Sequence, residues 1–182
     1  MFKSNRIHLR KVEMSDTETY HNWRNNMEVM ENTLPDLDVN TIGDTEDFIK
    51  SICNSASSKS YMIELNENND SIGVVSLINI DFKNRNAECI IDIGNQKYWG
   101  NGYGKEAMDL LLDYSFSEMN LHKLYLRVFS FNQRAIKLYE RMGFVKEGEQ
   151  REQLFRNGKW QGITYMAIFQ ESHLSSKEPE NY

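Results

Sequence analysis

Gly100, Gly102 and Gly104 alternate within the stretch Trp99-Gly100-Asn101-Gly102-Tyr103-Gly104. Glycines let a backbone turn sharply and approach a ligand closely. The apolar residues that follow repeat with a helical period. A helix should therefore begin near Tyr103 and aim unpaired N–H groups and its positive end at the same spot. That combination makes an anion site, and a pyrophosphate is the obvious anion; a structural turn is the other reading. The Gly-x-Gly-x-x-Gly spacing of a dinucleotide fingerprint is absent. So is a P-loop ending, because Gly104-Lys105 is followed by Glu106. Farther along stands a second motif, Asn132-Gln133-Arg134-Ala135-Ile136-Lys137-Leu138-Tyr139-Glu140-Arg141-Met142-Gly143-Phe144.

The elements that must hold these residues follow from periodicity and punctuation. Ile7-His8-Leu9-Arg10 alternates like a short strand. Ser15-Asp16-Thr17-Glu18 has capping-box spacing and predicts a helix to about Met30. Thr33 to Gly43, with Pro35, reads as a loop, and Asp44 as the cap of a second helix with Phe48, Ile49 and Ile52 on one face. Tyr61–Leu65, Ile72–Ile80 and Ala87–Ile93 read as three strands of an antiparallel meander, joined by polar turns at Asn66–Asp70 and Asn84–Asn86. After the glycines, Ala107, Met108, Leu111, Leu112, Ser115 and Met119 recur at helical steps. Leu124–Phe129 is a strand, and Gln133–Met142 a short amphipathic helix ended by Gly143. Phe144 to Glu147 starts a strand. Asn157-Gly158 is a hairpin turn between Gln153–Arg156 and Trp160–Phe169. The tail from Ser172 should fray. The order β-α-α-β-β-β-α-β-α-β-β is of the mixed α/β (α+β) class, antiparallel at first with a later β-α-β crossover.

Together the two motifs resemble the GNAT acetyltransferase superfamily. The glycine stretch is similar to its acetyl-CoA signature, (Gln/Arg)-x-x-Gly-x-(Gly/Ala), and the later segment to its Asn-x-x-Ala-x-x-x-Tyr-x-x-x-Gly-Phe element. They lie in the family's order, and the strand order supports the likeness from about Ile7 to Phe169. One departure is Trp99, where Gln or Arg is usual; the branch resembling ribosomal-protein alanine acetyltransferases shows similar text. It leaves more of the phosphate binding to backbone N–H groups.

The resemblance implies the GNAT acyl-CoA N-acyltransferase fold: a mostly antiparallel sheet of six to seven strands flanked by about four helices, as one domain over residues 1–171. It implies acetyl-CoA as co-substrate. The backbone of Ile91, Asp92 and Ile93 would pair with the pantetheine arm. The pyrophosphate would sit on Trp99, Gly100, Asn101, Gly102, Tyr103 and Gly104, with Lys105 adding charge. Asn132 would touch the cofactor near the pantetheine. Tyr139 would stand by the thioester sulfur, where its hydroxyl can protonate the leaving thiolate. A backbone N–H of the splayed strand can stabilise the oxyanion. Glu88 would take the proton of the attacking amine, directly or through water; a salt-bridged strand residue is the competing reading.

The whole chain is consistent with this. Its 182 residues, 40% hydrophobic and 26% charged, suit one soluble domain. Met1 to Arg10 shows no apolar signal-peptide region, and no run reaches a membrane span, so a cytoplasmic enzyme without a membrane partner is expected. Cys53 and Cys89 are read as small buried hydrophobes. His8, His21, His122 and His173 show no metal-ligand spacing. A net charge of -6 argues against nucleic acid and suits a cationic substrate.

The reaction implied is direct acetyl transfer in a ternary complex to a primary amine, either a protein N-terminus or a small molecule. Trp23, Asn26 and Glu31, and more weakly Asp36 and Asp38, are the residues the resemblance puts near that amine. Asn25–Met30 and Asn120–Leu174 also resemble bacterial spermidine acetyltransferases, although Thr33-Leu34-Pro35 replaces their aromatic and acidic residues. A polyamine is thus the alternative acceptor. A sensor that binds acyl-CoA without turnover is the alternative of another class, and the intact Tyr139 favours an enzyme. A homodimer is common in the family.

Overall fold

The computed structural model describes residues 1–175. The chain forms two compact units. The first is Met1–Asn79 with Ile90–Leu111; the second is Ile80–Cys89 with the chain from Leu112 onward.

In the first unit, β1 (Ile7–Lys11), β2 (Lys59–Leu65) and β3 (Ser71–Asp81) pair antiparallel, with Ile7 opposite Leu65 and Ile63 opposite Gly73. The helix expected to run to Met30 is broken in two, α1 (Thr17–Arg24) and α2 (Met27–Thr33). The two asparagines cause the break. Asn25 exchanges hydrogen bonds with the backbone of Asn40, and Asn26 takes extended backbone and caps α2 by accepting from Glu28 N at 3.1 Å. The capping box falls earlier than expected, between Glu13 and Asp16, at a 3₁₀ turn over Met14–Asp16. Helix α3 (Ile42–Cys53) is capped by Thr41 rather than Asp44, which reaches back to Thr41 N at 2.8 Å as the other half of that box. Ile49 of α3 packs on Val12, Met62 and Val74, with Tyr20, Trp23 and Ile52 around them. Helix α4 (Tyr103–Asp113) follows the glycines as expected.

In the second unit, the start of β4 (Asn86–Asp92) runs parallel to β5 (Lys123–Phe129), with Glu88 opposite Tyr125. Strand β7 (Lys159–Phe169) is antiparallel to β5 and to β6 (Val145–Arg156). The two strand pieces expected before the hairpin turn are one strand, β6, with register breaks at Lys146/Gly148 and Gln150/Leu154 that allow its length. Helix α5 (Gln133–Arg141) ends at Gly143, whose φ of 93° is open to glycine at no steric cost.

The tail departs from expectation. Gln170–Ser175 is a helix, α6, and its His173 is buried with Nε2 2.8 Å from Asp113 Oδ1. That contact orders residues 172–175; the rest of the expected frayed tail lies outside the described residues. Cys89 is buried as read, but Cys53 is exposed. The fold is mixed α/β with seven mostly antiparallel strands and, among the described residues, six α-helices rather than four. The split of α1 from α2 and the added α6 make the difference. No helix among the described residues is long and apolar enough to cross a membrane.

Candidate active site

In the first unit the chain leaves β4, makes a 3₁₀ turn over Gln96–Tyr98 and enters the glycines. Gly100 and Gly102 have φ of 79° and 83°. A side chain at either would be strained. Gly104 is different: a methyl there would meet Ile93 and Ile91 at 3.7 and 3.8 Å, ordinary contact. The first bond of α4 runs from Glu106 N to Gly102 O at 3.1 Å. The N–H groups of Tyr103, Gly104 and Lys105 therefore lack an intrahelical acceptor and face the exposed turn at Gly100–Gly102.

A second cation stands at this turn beside the one read from the sequence. Lys105 Nζ is committed to Asp109 at 2.7 Å, one helical turn on. Arg6 from the N-terminal segment joins it, itself paired with Glu106 of α4. Its Nη1 donates to Asn101 O at 2.9 Å, its Nε donates to Glu106 at 2.7 Å, and its guanidinium lies 4.4 Å from the Tyr103 ring centre. No local spacing signals Arg6, because its partners are far along the chain. Trp99 also has a definite role. Its indole Nε1 donates to Ile93 O at 2.6 Å and ties the turn to the end of β4. Free helix N–H groups, two positive-φ glycines and a guanidinium fit the diphosphate of a nucleotide-bearing cofactor.

On the other side of β4's end stands the α1–α2 corner. The Trp23 indole covers Gly94 so closely that a Cβ there would fall 2.1 Å from Cδ2. Asn26 accepts from Gln96 Nε2 at 3.2 Å, joining the corner to the segment after β4. Thus Trp23 and Asn26 meet the strand end. Glu31, Asp36 and Asp38 are exposed, Glu31 on α2 and the two aspartates in the loop after it. The family resemblance marks Asp92 for its backbone alone. Burial pushes its carboxyl up to about 6, with Arg24 working against that shift.

In the second unit Glu88 is 4% exposed and accepts from Arg127 Nε at 2.7 Å. The salt bridge that the sequence left open for Glu88 is formed. Glu88 holds the Arg127 guanidinium above its usual value. Replacing Arg127 with alanine would leave a buried carboxylate without this partner. The expected loss is about 2 kcal/mol, below the ~3–5 of a fully buried pair because Arg127 is half in water. Urea unfolding of Arg127→Ala checks it. Asn132 caps α5 through Oδ1, which accepts from Ala135 N at 3.1 Å. Tyr139 is half-buried on α5, its ring 5.7 Å from that of Phe144.

Comparison with known proteins gives this arrangement a family. Residues 6–145 match the family model of the acetyltransferase (GNAT) domain. The chain is 33% identical over 175 residues to the spermidine N(1)-acetyltransferase of Vibrio cholerae, covering 96% of this chain and 99% of that one. A crystal structure of the Vibrio cholerae spermidine N-acetyltransferase in complex with CoA and spermine superposes with a TM-score of 0.86 at 32% identity, covering 94% and 99% of the two chains. The same enzyme has been solved as a dodecamer, with a TM-score of 0.82, 31% identity and coverage of 96% and 100%. A putative ribosomal N-acetyltransferase of Bacillus subtilis is 31% identical over 105 residues, 58% of this chain and 57% of that one. A glycine turn at a helix start and the Asn132–Phe144 element thus sit inside a full-length likeness: the chain belongs to the GNAT acetyltransferase family and is an acetyl-CoA-dependent N-acetyltransferase.

Proposed function

We propose that the acceptor is the primary amine of a small aliphatic polyamine, and that transfer is direct. The full-length likeness to an enzyme solved with spermine carries this reading. The chain's charge of -6 supports it, as do Trp23 of α1, set on Gly94, and the Asp92 carboxylate beside α1. A polyamine ammonium is bound by such groups. The single observation in favour of a protein N-terminal amine is the partial likeness to the ribosomal enzyme.

When bound, acetyl-CoA supplies an activated thioester carbonyl. The residues of the chain divide the remaining work. The N–H groups of Tyr103, Gly104 and Lys105, with Gly100, Asn101 and Gly102, receive the diphosphate, and Arg6 and Lys105, each paired with an acid of α4, add positive charge. The backbone of Ile91–Ile93 receives the pantetheine arm. Asn132 uses only its oxygen as a cap, and its amide nitrogen donates to the same arm. Tyr139 gives its hydroxyl proton to the leaving sulfur. Glu88 orders Arg127. The two units make one acetyltransferase domain over residues 1–171, supported by a family model that runs through both. Homo-oligomerisation is supported by the dodecameric relative and is read by light scattering.

Trp99→Phe keeps the ring and loses the bond to Ile93 O. The expected result is a KM for acetyl-CoA raised about fivefold, the value of one hydrogen bond at about 1 kcal/mol, with kcat unchanged. Steady-state kinetics with varied acetyl-CoA reads this. Acceptor identity is tested by thiol release across spermidine, N-terminal peptides and amino sugars. Turnover of spermidine well above the others is expected; turnover of the peptides alone would overturn the polyamine reading.

A further inference from the structure

The carboxylate of Asp92 makes no hydrogen bond and no ion pair among the described residues. It ends β4 on the side of α1, where Tyr20 and Arg24 both interact with its charge. The flanking side chains of Ile91 and Ile93 lie the other way, toward Gly104 at the start of α4. That is the alternation of a strand. Nearby, Arg24 Nε is buried with no hydrogen-bond partner, and its guanidinium stands 4.8 Å from the Phe48 ring centre. An unpaired carboxylate and an unpaired guanidinium nitrogen in one cluster cost free energy. Selection for packing alone would join them or replace them with apolar groups.

The surroundings also fix where this carboxylate stands. A Cβ on Gly73 of β3 would fall 2.3 Å from the Asp92 carbonyl, so only glycine permits that approach. Trp23 covers Gly94 two residues on. The charged or titratable groups facing Asp92 are Tyr20 and Arg24 of α1; the β3 residue against it, Gly73, has none.

We propose that Asp92 binds the protonated acceptor amine and takes its proton. This rests on the reading of the α1–α2 corner as the acceptor side. In the step, one N–H bond of the ammonium breaks and the proton passes to a carboxylate oxygen of Asp92. The electron pair stays on nitrogen, which forms the new C–N bond as the C–S bond breaks. The resulting carboxylic acid returns the proton to water once product leaves. Burial that pushes Asp92 up to about 6 makes it a stronger base than an ordinary carboxylate while leaving it ionised at neutral pH. Burial holds the Tyr20 phenol well above its ordinary value, so it stays neutral beside Asp92.

Asp92→Asn separates this role from a structural one. The expected fall in kcat/KM for the amine is about 30-fold, below the ~10² of a fully enclosed base because water can substitute. The acid limb of the wild-type pH profile, near pH 6, should vanish in the variant and persist in Asp92→Glu. Acetyl-CoA affinity should not change. Stability gives an independent readout. A carboxyl whose folded pKa is raised contributes stability at low pH that is lost as pH rises from about 4 through about 6. At pH 7 the wild type therefore carries a desolvation penalty that Asn does not. The variant should melt a few degrees higher at pH 7, with the gain shrinking toward pH 4. A retained acid limb with unchanged kcat/KM, or a lower melting temperature, overturns the proposal. If wild-type protein acetylates no amine of the panel, the polyamine reading fails separately. The Asp92 carboxyl carbon resonance then decides: its titration midpoint should drop when spermidine is added, and an unmoved midpoint overturns the role of Asp92.

Discussion

Tyr139→Phe is expected to lower kcat about 10²-fold, the low end for general acid–base catalysis, with acetyl-CoA affinity nearly unchanged. The substitution is conservative for packing. The ring sits half-buried on α5, 5.7 Å from Phe144, and phenylalanine keeps that contact. What is lost is one hydroxyl. Without it the leaving sulfur must depart as a thiolate or take its proton from water. Because Asn132 and the glycine turn are untouched, binding of acetyl-CoA by calorimetry should stay at the wild-type value. A large loss of affinity instead would make Tyr139 a packing residue, and unchanged kcat would remove it from the mechanism.

Gly102→Val is expected to weaken acetyl-CoA binding by about 30- to 150-fold, from about 2–3 kcal/mol of backbone strain. The φ of 83° at Gly102 is accessible to glycine and costly for a β-branched residue. The strain is relieved by flipping the turn, which withdraws the N–H groups of Tyr103, Gly104 and Lys105 and breaks the contact of Arg6 with Asn101 O. Helix α4 should persist, because Ala107, Met108, Leu111 and Leu112 remain buried on its inner face. Gly104→Ala is the contrast: a methyl there meets only Ile93 and Ile91 at ordinary distances, so its effect should be several-fold smaller. Calorimetric titration of both variants reads the difference. Equal affinities would mean that backbone geometry at the turn is not what holds the cofactor.

The parts of the site that are legible in the sequence are the local ones. Glycines before a helix, a capping Asn132 and Tyr139 on the same short helix each announce themselves within a dozen residues. Strands β1 and β5 are legible because their burial alternates, and β2 and β3 because they are apolar runs buried along most of their length. What is not legible depends on partners distant in sequence. Arg6 reaches Asn101 and Glu106 only after folding. The Trp99 bond to Ile93 O needs the turn geometry, and the departure from Gln or Arg points to Trp99 without showing what its indole holds. Glu88 can be read as a base or as half of an ion pair, and only the position of Arg127 on the neighbouring strand shows the pair. Asp92 looks like strand backbone because its placement beside Tyr20 and Arg24 of α1 has no period of its own. The break between α1 and α2 is a matter of competition: helical periodicity continues to Met30, and two asparagine side chains win locally with hydrogen bonds to Asn40 and Glu28.

Direct transfer is also favoured by what the cysteines cannot do. Cys89 is buried and its thiol is pushed far up; the Cys53 thiol, on an exposed residue, is pushed up by partial desolvation and by the acids Asp16 and Glu13. Neither is placed to be a thiolate that would carry the acetyl group. Two-substrate initial-rate kinetics, with acetyl-CoA and spermidine varied together, tests the account most directly. A ternary complex gives intersecting double-reciprocal lines, and the mass of the protein stays unchanged after incubation with acetyl-CoA alone. Parallel lines with an acetylated chain would contradict it.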